Sequence, residues 1–229
     1  MTLKKTPATR VSRRWEDART VAGFVSSPPN EVLLEFARER LVHSNASCLD
    51  IGCGAGRNAV PMAQLGYRVT GTDLAAPMLV AAAARRAQEA VSVSLVHAPM
   101  APLPFPNATF DLIVAHGIWN LASSARMFRA AVAEAARVAR PGAGLFLFTF
   151  SRHTLPEDAV PDPGESFVFS TWNGEPQYFL TDLEIIDELA TAGFRRTPAG
   201  PLTEYNVRSP GAIPTAGPPV IYEGTFVRV

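Results

Sequence analysis

The chain has 229 residues, of which 47% are hydrophobic and 18% are charged, so it can bury a sizeable core and is not disordered through charge. Positive and negative side chains number 21 each, and the zero net charge argues against a broad nucleic-acid surface. Two cysteines, Cys48 and Cys53, are too few for a disulfide framework or a four-cysteine zinc site, and the longest uncharged apolar run, Leu74 to Ala84, is too short to cross a bilayer. We therefore expect a cytoplasmic monomer or homodimer that uses no metal and binds neither nucleic acid nor a membrane.

The first 27 residues are polar and basic, with Trp15 and Phe24 as isolated aromatic side chains. We interpret residues 1–27 as an N-terminal arm and as a candidate lid over a binding site. Asn30 follows two prolines and suits the N-cap of a helix, in which apolar residues then recur with helical spacing. We expect residues 28–229 to form a single domain.

From residue 46 onward, short apolar runs alternate with helical patterns, which is typical of right-handed βαβ units and a parallel sheet. The runs predicted as strands cover residues 46–51, 67–72, 91–97, 110–116 and 145–150. The stretches predicted as helices cover residues 58–65, 76–90 and 123–139. Pro141 and Gly142 are expected to stop the last of these helices. Such a sheet carries helices on both faces.

Residues 151–180 interrupt this alternation. Their first half is rich in proline and reads as a loop, and two aromatic runs then flank Asn173-Gly174, a dipeptide typical of a tight hairpin turn. We interpret this segment as an insertion on the substrate side of the domain.

The C-terminal part predicts one more helix and two strands. Thr181 and Glu184 form a capping box at the start of the helix. The strands, at about 202–207 and 221–228, are joined by a loop rich in proline and glycine and are expected to pair antiparallel at the edge of the sheet. The predicted fold is therefore α/β and Rossmann-like, with a seven-stranded, mostly parallel sheet, helices on both faces and an antiparallel last strand.

The segment Asp50-Ile51-Gly52-Cys53-Gly54-Ala55-Gly56-Arg57 leads from a strand through three alternate glycines into a helix. Glycine permits positive φ and a close approach of the backbone to a ligand, and the first amides of a helix can hold a polar or anionic group. Asp50 stands two residues before the first glycine, where its charge attracts a cation and repels a pyrophosphate. Arg57 takes the place of the third glycine of the dinucleotide-binding fingerprint. Both residues weaken a NAD-binding interpretation.

This string resembles the first signature of the class I S-adenosylmethionine (SAM)-dependent methyltransferases. Three further landmarks of that family are matched in order and spacing. They are Gly71-Thr72-Asp73-Leu74 at the end of the second strand, Leu103-Pro104-Phe105 followed by Phe110-Asp111-Leu112-Ile113, and Ala139-Arg140-Pro141-Gly142-Ala143-Gly144 before the fifth strand. The resemblance covers residues 46–150 well and the final strands loosely. Arg57-Asn58 is similar to family members that act on small molecules, including the tellurite-resistance-like group.

The resemblance implies that SAM is the cofactor and S-adenosylhomocysteine the product. It implies that Asp50 accepts a hydrogen bond from the amino group of SAM, that Asp73 holds both ribose hydroxyls and that Arg57 faces the methionine carboxylate. The residues expected to form the cofactor site are Asp50, Gly52, Cys53, Gly54, Gly56, Arg57, Asp73, Leu74, Met78, Met100, Ala101 and His116. Pro99 replaces the aspartate that usually contacts the adenine amino group, so we expect adenine to rest on the Met100 backbone amide and apolar neighbours.

On the acceptor side the sequence offers individual histidines and tryptophans. His116 and His153 follow the fourth and fifth strands, and ligands of open α/β sheets bind at the carboxyl ends of strands. Because a neutral histidine can take the proton of a hydroxyl acceptor, both are candidate catalytic residues, with His153 facing the acceptor and His116 the methionine end of the cofactor. The candidate substrate-binding residues are Trp119, His153 and Trp172. The alternatives are core packing for the tryptophans and a hydrogen-bonded loop position for the histidines.

These observations predict methyl transfer from SAM to a small organic acceptor at oxygen, nitrogen or sulfur. In-line methyl transfer depends on alignment and needs no covalent nucleophile or metal. Two alternatives stay open, namely an enzyme that acts on a protein or nucleic acid, and a SAM-binding partner subunit without turnover. The sequence Ala115-His116-Gly117-Ile118-Trp119 lacks the Asp/Asn-Pro-Pro-aromatic string of members that methylate flipped bases. The acceptor itself cannot be read from the sequence, because variable loops hold it.

Overall fold

A central sheet of eight strands organises the computed structural model, which describes residues 13–41, 46–198, 200–207 and 218–229. Its strands are β1 (Ser47–Ile51), β2 (Arg68–Asp73), β3 (Val93–His97), β4 (Phe110–His116), β5 (Ala139–Phe150), β8 (Phe194–Arg196), β9 (Thr203–Tyr205) and β10 (Ile221–Arg228). A separate hairpin consists of β6 (Val168–Phe169) and β7 (Gln177–Tyr178). The helices are α1 (Ala18–Ser26), α2 (Glu31–Arg40), α3 (Ala59–Gln64), α4 (Ala76–Gln88), α5 (Ala125–Val138) and α6 (Asp182–Thr191).

The strands lie in the order β3-β2-β1-β4-β5-β10, and β8 and β9 share the remaining edge of β10. Strands β1 to β5 are parallel, with Asp50 opposite Gly71 on one side and Val114 on the other. Strand β10 runs antiparallel to β5. The predicted Rossmann-like fold, with a mostly parallel sheet and an antiparallel last strand, is confirmed.

The C-terminal edge differs from the prediction in two respects. The predicted antiparallel pair is present as β9 and β10, but β10 itself lies inside the sheet, between β5 on one side and β8 and β9 on the other. Strand β8 was not predicted, because its three residues, Phe194–Arg196, include two arginines and do not form an apolar run. The central sheet of the described residues therefore has one strand more than the seven predicted, and β8 and β9 each cover only part of β10.

Alternate residues of the parallel strands bury against opposite layers of helices. Leu49 and Ile51 pack in the cluster that contains the buried face of α5, whereas Cys48 packs in the cluster that contains α2 and α3. The buried face of α5 includes Phe128, and its side chain packs edge to face against the Trp119 ring. No helix of the described residues is both long enough and apolar enough to cross a membrane.

The N-terminal arm is helical over part of its length, which the sequence reading did not predict. Residues 1–12 lie outside the described residues. Helix α1 begins after Asp17, whose carboxylate accepts hydrogen bonds from the backbone of Arg19 and Thr20. Phe24 of α1 and Trp15 pack edge to face, with ring centroids 5.7 Å apart. Both rings lie in one apolar cluster with Met78, which explains why so polar a segment adopts a defined position.

The other predicted caps agree closely with the structure. Asn30 is the N-cap of α2, where its side chain accepts a hydrogen bond from the Leu33 amide. The capping box of Thr181 and Glu184 is present at α6. The predicted stop at Pro141 and Gly142 is late, because α5 ends at Val138 and the chain enters β5 at once, with a bulge in its pairing to β4.

Candidate functional site

A cavity of about 600 Å³ opens at the carboxyl ends of β1, β2, β3 and β4. This is the place where ligands bind in open α/β sheets. One end of its lining comes from the glycine turn after β1 and from the residues that follow β2 and β3. The other end comes from the residues after β4, the first turn of α5 and residues 175–177 of the predicted insertion. A single space therefore joins the glycine turn to the insertion.

The glycine turn needs glycine for steric reasons. Gly52 has φ +71°, and a Cβ placed there would lie 2.7 Å from the Ile118 side chain. Gly54 has φ +53°, and its open side faces the Phe24 ring. Gly56 packs against Ala82 of α4 and lines neither the cavity nor its side recess. At Gly52 and Gly54 the cavity wall therefore consists of backbone atoms with no side chain in front of them.

Asp73 ends β2 and connects the glycine turn to the start of α4. Its Oδ2 accepts a hydrogen bond from the Gly54 amide at 2.9 Å, and its Oδ1 accepts one from the Ala75 amide at 2.8 Å. Burial raises the pKa of this carboxyl, and the backbone hydrogen bonds partly oppose that effect. Because each carboxylate oxygen has two lone pairs, Asp73 can still accept hydrogen bonds from ligand hydroxyls in the cavity that it lines.

Asp50 lies in a side recess of about 30 Å³ that adjoins the cavity through Gly52, Gly54 and His116. The residue is 2% exposed, and its Oδ2 has no hydrogen-bond partner among the described residues. Burial raises the pKa of this carboxyl to about 7, although the nearby Arg57 lowers it. A buried carboxylate oxygen without a partner fits the ammonium group of an amino acid, which would supply both a donor and a positive charge.

His116 ends β4 within a buried polar network. Its ring stacks on the Phe148 ring at a centroid distance of 4.1 Å. Arg57 Nη2 lies 3.1 Å from His116 Nδ1, and Asn30 Nδ2 lies 3.2 Å from His116 Nε2. Burial and the Arg57 charge lower the pKa of this imidazole to about 3, so it is neutral at physiological pH. Asn30 also donates a hydrogen bond to the Glu223 carboxylate.

Sequence reasoning missed Asn30 and Glu223 as members of this network. Asn30 was recognised only as a helix cap, and it performs that role with its Oδ1 while its Nδ2 faces Glu223 and His116. Glu223 is 6% exposed and stands in β10, far along the chain from the glycine turn. A buried glutamate in a strand is the one local signal that could have marked it.

The structure brings most of the predicted cofactor residues together. Those that line the cavity are Gly52, Gly54, Asp73, Leu74, Met78, Met100, Ala101 and His116. Those that line the side recess include Asp50, Cys53 and Arg57. Pro99 also lines the cavity, next to Met100. Trp15 and Phe24 of the N-terminal arm lie on the same wall as Gly54.

The predicted acceptor residues lie apart from the cavity. His153 sits in a short 3-10 helix with a side chain that is 61% exposed, and its Nδ1 is 2.7 Å from Glu204 Oε1. Trp119 is 1% exposed and packs in the main core. Trp172 packs against the cluster of Leu155, Phe169 and Phe179. None of the three lines the cavity, because the chain turns away from it directly after β5 and because both indoles face apolar layers.

Residues that carry no sequence motif complete the far end of the cavity. The α5 side contributes Ser123, Ser124, Arg126, Met127 and Ala130, and the hairpin side contributes Glu175, Pro176 and Gln177. These residues are about 50 positions apart in the sequence, and only the path of the insertion brings them together.

Comparisons with known proteins show what the central part of this chain is similar to. Residues 48–142 match the family described as Methyltransferase domain. The chain is 32% identical over 137 residues to the O-methyltransferase resE of Aspergillus sclerotiorum, a match that covers 54% of this chain and 50% of that protein. It is 29% identical over 144 residues to a ubiquinone biosynthesis O-methyltransferase of Hahella chejuensis, with 62% of this chain and 59% of that protein covered. The match thus spans little more than half the length of these relatives.

A solved structure shares the fold. The Burkholderia thailandensis 1,6-didemethyltoxoflavin-N1-methyltransferase, with bound 1,6-didemethyltoxoflavin and S-adenosylhomocysteine, aligns with a TM-score of 0.63 at 21% identity. The alignment covers 94% of this chain and 84% of that one. The narrower resemblance to the tellurite-resistance-like group stays a prediction. The domain match and the methyltransferase relatives show that residues 48–142 form a domain of the SAM-dependent methyltransferase type, whose cofactor is SAM, and the solved structure shows that the chain shares the fold of such an enzyme.

Proposed function

We propose that this chain transfers a methyl group from SAM to an oxygen atom of a small organic acceptor. The observation that carries the proposal is the continuity of the cavity, which runs from Asp73 and the glycine turn to Met127 and Gln177 without a partition. A volume of about 600 Å³ lies within the usual range of small-molecule sites, so both reactants must be small. Methyl transfer is favoured when such a site holds the two reactants in line.

SAM supplies a methyl group that is activated on a sulfonium centre. In the proposed arrangement, Asp50 accepts from the amino group, which provides its unpaired Oδ2 with a donor. Asp73 accepts from the ribose hydroxyls, and the bare backbone at Gly52 and Gly54 permits close approach. Pro99 and Met100 then form the surface on which adenine rests.

The acceptor occupies the far end of the cavity in this proposal. Its walls there are largely apolar, with Ile118, Leu121, Met127 and Ala130, which suits a ring or an alkyl body. The choice of oxygen as the methylated atom is supported by the names of two relatives, both of which are O-methyltransferases. His153 has no part in this mechanism, because its imidazole lies outside the cavity and pairs with Glu204.

Asp73→Ala tests the cofactor site. The substitution removes two charge-assisted hydrogen bonds to the ribose, worth about 1.5–3 kcal/mol each, so SAM affinity should fall by about a hundredfold to ten-thousandfold. Isothermal titration calorimetry with SAM, S-adenosylhomocysteine and NADH provides the measurement. Asp187→Ala, at an exposed position of α6, is the matched control and should bind SAM like the wild type. Binding of NADH without binding of SAM would overturn the proposed function.

A further inference from the structure

The side chain of Gln177 points to the chemistry of the acceptor. Gln177 belongs to β7 in the insertion, is 4% exposed and lines the cavity. Its Oε1 has no hydrogen-bond partner among the described residues. Buried polar groups are almost always paired, so a buried carboxamide at a cavity wall indicates contact with a polar group of a ligand. The oxygen and nitrogen of a carboxamide exchange places when the amide is flipped, so the Gln177 side chain can present its Nε2 donors to an oxygen of that ligand.

Arg126 adds a positive charge at the same end of the cavity. It is the second residue of α5, and its side chain lines the cavity with Met127 and Ser124. Its guanidinium forms no ion pair or hydrogen bond within the described residues. Two carboxylates also line the cavity, Asp73 at the cofactor end and Glu175 near Gln177. A cation without a partner and a carboxamide, facing one apolar space, together suit an acceptor that carries a negatively charged oxygen.

The arrangement around His116 leads to the same conclusion by another route. A neutral hydroxyl acceptor needs a base to remove its proton, and His116 is the only histidine in the lining of the described cavity. Arg57 Nη2 and Asn30 Nδ2, both donors, lie within 3.2 Å of its ring nitrogens, so whichever nitrogen of the neutral imidazole carries the lone pair already faces a protein donor. An acceptor that is already ionised removes this requirement.

We infer that the acceptor is methylated as an oxyanion, a carboxylate or an acidic phenol on an apolar body, which Arg126 and Gln177 bind at the insertion end of the cavity. This inference rests on the proposed function. In the transfer, the oxyanion forms the new O–C bond and the C–S bond breaks with its electron pair passing to sulfur. The sulfonium becomes a neutral thioether, and no proton moves. Arg126 and Gln177 therefore determine which acceptors bind.

Binding of three matched probes tests the inference without requiring the natural acceptor. The chain is saturated with S-adenosylhomocysteine and titrated with 2-naphthoate, neutral 2-naphthamide and cationic 2-naphthylmethylamine in a calorimeter. The naphthoate should bind at least tenfold more tightly than the amide, and the amine should bind weakest. Arg126→Gln should abolish the preference for naphthoate over the amide. Gln177→Met, which keeps the volume of the side chain, should weaken naphthoate binding by about tenfold.

The controls separate this inference from the proposed function. Arg129→Gln lies one turn further along α5 and outside the cavity, removes the same charge and should keep the naphthoate preference. All variants should bind S-adenosylhomocysteine with unchanged affinity, because neither Arg126 nor Gln177 lies at the cofactor end. Equal binding of the three probes, tighter binding of the amine, or a preference that survives Arg126→Gln would overturn the inference alone. Failure of the wild type to bind S-adenosylhomocysteine would overturn the proposed function, and this inference with it.

Discussion

At the scale of single residues, Asp50 shows how burial prepares a group for a ligand. The residue is only 2% exposed, in the side recess of the cavity, and one of its carboxylate oxygens has no partner among the described residues. Burial therefore raises its pKa to about 7 and leaves it partly protonated near neutral pH. A ligand ammonium would favour the ionised form, so binding of SAM and release of a proton are coupled.

This coupling predicts that SAM affinity rises with pH. Below pH 7 the free carboxyl is protonated and binding must release that proton, so affinity should fall by up to tenfold per pH unit towards pH 6. Above pH 7.5 the dependence should level off. Calorimetry in two buffers of different ionisation enthalpy measures both the affinity and the number of protons released. Asp50→Asn should bind SAM weakly and without the pH dependence, and a wild-type affinity that does not change between pH 6 and pH 8 would contradict the assigned role.

Gly52 permits a second prediction at this scale. Its positive φ and its distance from Ile118 both oppose a side chain, whereas Gly174 has φ +80° but nothing within 4 Å of an added Cβ. Gly174→Ala should therefore lower the free energy of unfolding only through backbone strain, by about 1–2 kcal/mol. Gly52→Ala should lower the free energy of unfolding by that strain and by about a further 1–3 kcal/mol, because the new methyl group overpacks against Ile118. It should also weaken SAM binding. Urea unfolding of both variants measures the difference, and equal losses of stability would show that the Ile118 contact is unimportant.

At the scale of elements, helix α1 and Trp15, three residues before the helix, cover the glycine turn. Phe24 lies 3.5 Å from the position of a Gly54 Cβ, and its ring packs against Trp15 at the cavity wall. The Arg85 side chain donates a hydrogen bond to the Val25 carbonyl, which attaches α1 to α4. These contacts support the predicted role of the N-terminal arm as a lid, which stays a proposal.

Phe24→Ala tests that role. Loss of a largely buried aromatic contact should weaken binding of S-adenosylhomocysteine by roughly tenfold, mostly through faster dissociation. Val25→Ala is the neighbouring control, since the Val25 side chain is 46% exposed and does not line the cavity. Stopped-flow fluorescence of Trp15 can follow the dissociation rate. If both variants release the ligand at the wild-type rate, α1 is not a lid over the cofactor end.

At the scale of the whole molecule, local sequence patterns predicted the features that residues close together in the chain determine. The glycine turn, the caps at Asn30 and Thr181 and the parallel strands all follow from neighbouring residues and periodicity, and the structure confirms these features. The acceptor end was not predictable in the same way. His153 follows β5 as expected, but a short 3-10 helix directs its side chain towards Glu204.

The partners that complete the site are distant in sequence and carry no motif. Asn30 is hydrogen-bonded to Glu223 across almost the whole chain, and Arg126 lines the same cavity as Gln177. Such pairs depend on the path of the insertion and on the place of β10 inside the sheet, which no local pattern indicates. The positions of Asp50, Asp73 and His116 at strand ends were therefore predictable, whereas the direction of His153 after β5 and the residues that meet between loops required the structure.

A crystal structure of the full chain with S-adenosylhomocysteine shows whether one cavity holds the cofactor at one end and leaves the other end for the acceptor. The predicted result places the amino group at Asp50, the ribose hydroxyls at Asp73 and the adenine beside Pro99 and Met100. The sulfur would then face the open space in front of Gln177. Density for the ligand outside this cavity, or a ribose without contact to Asp73, would contradict the account.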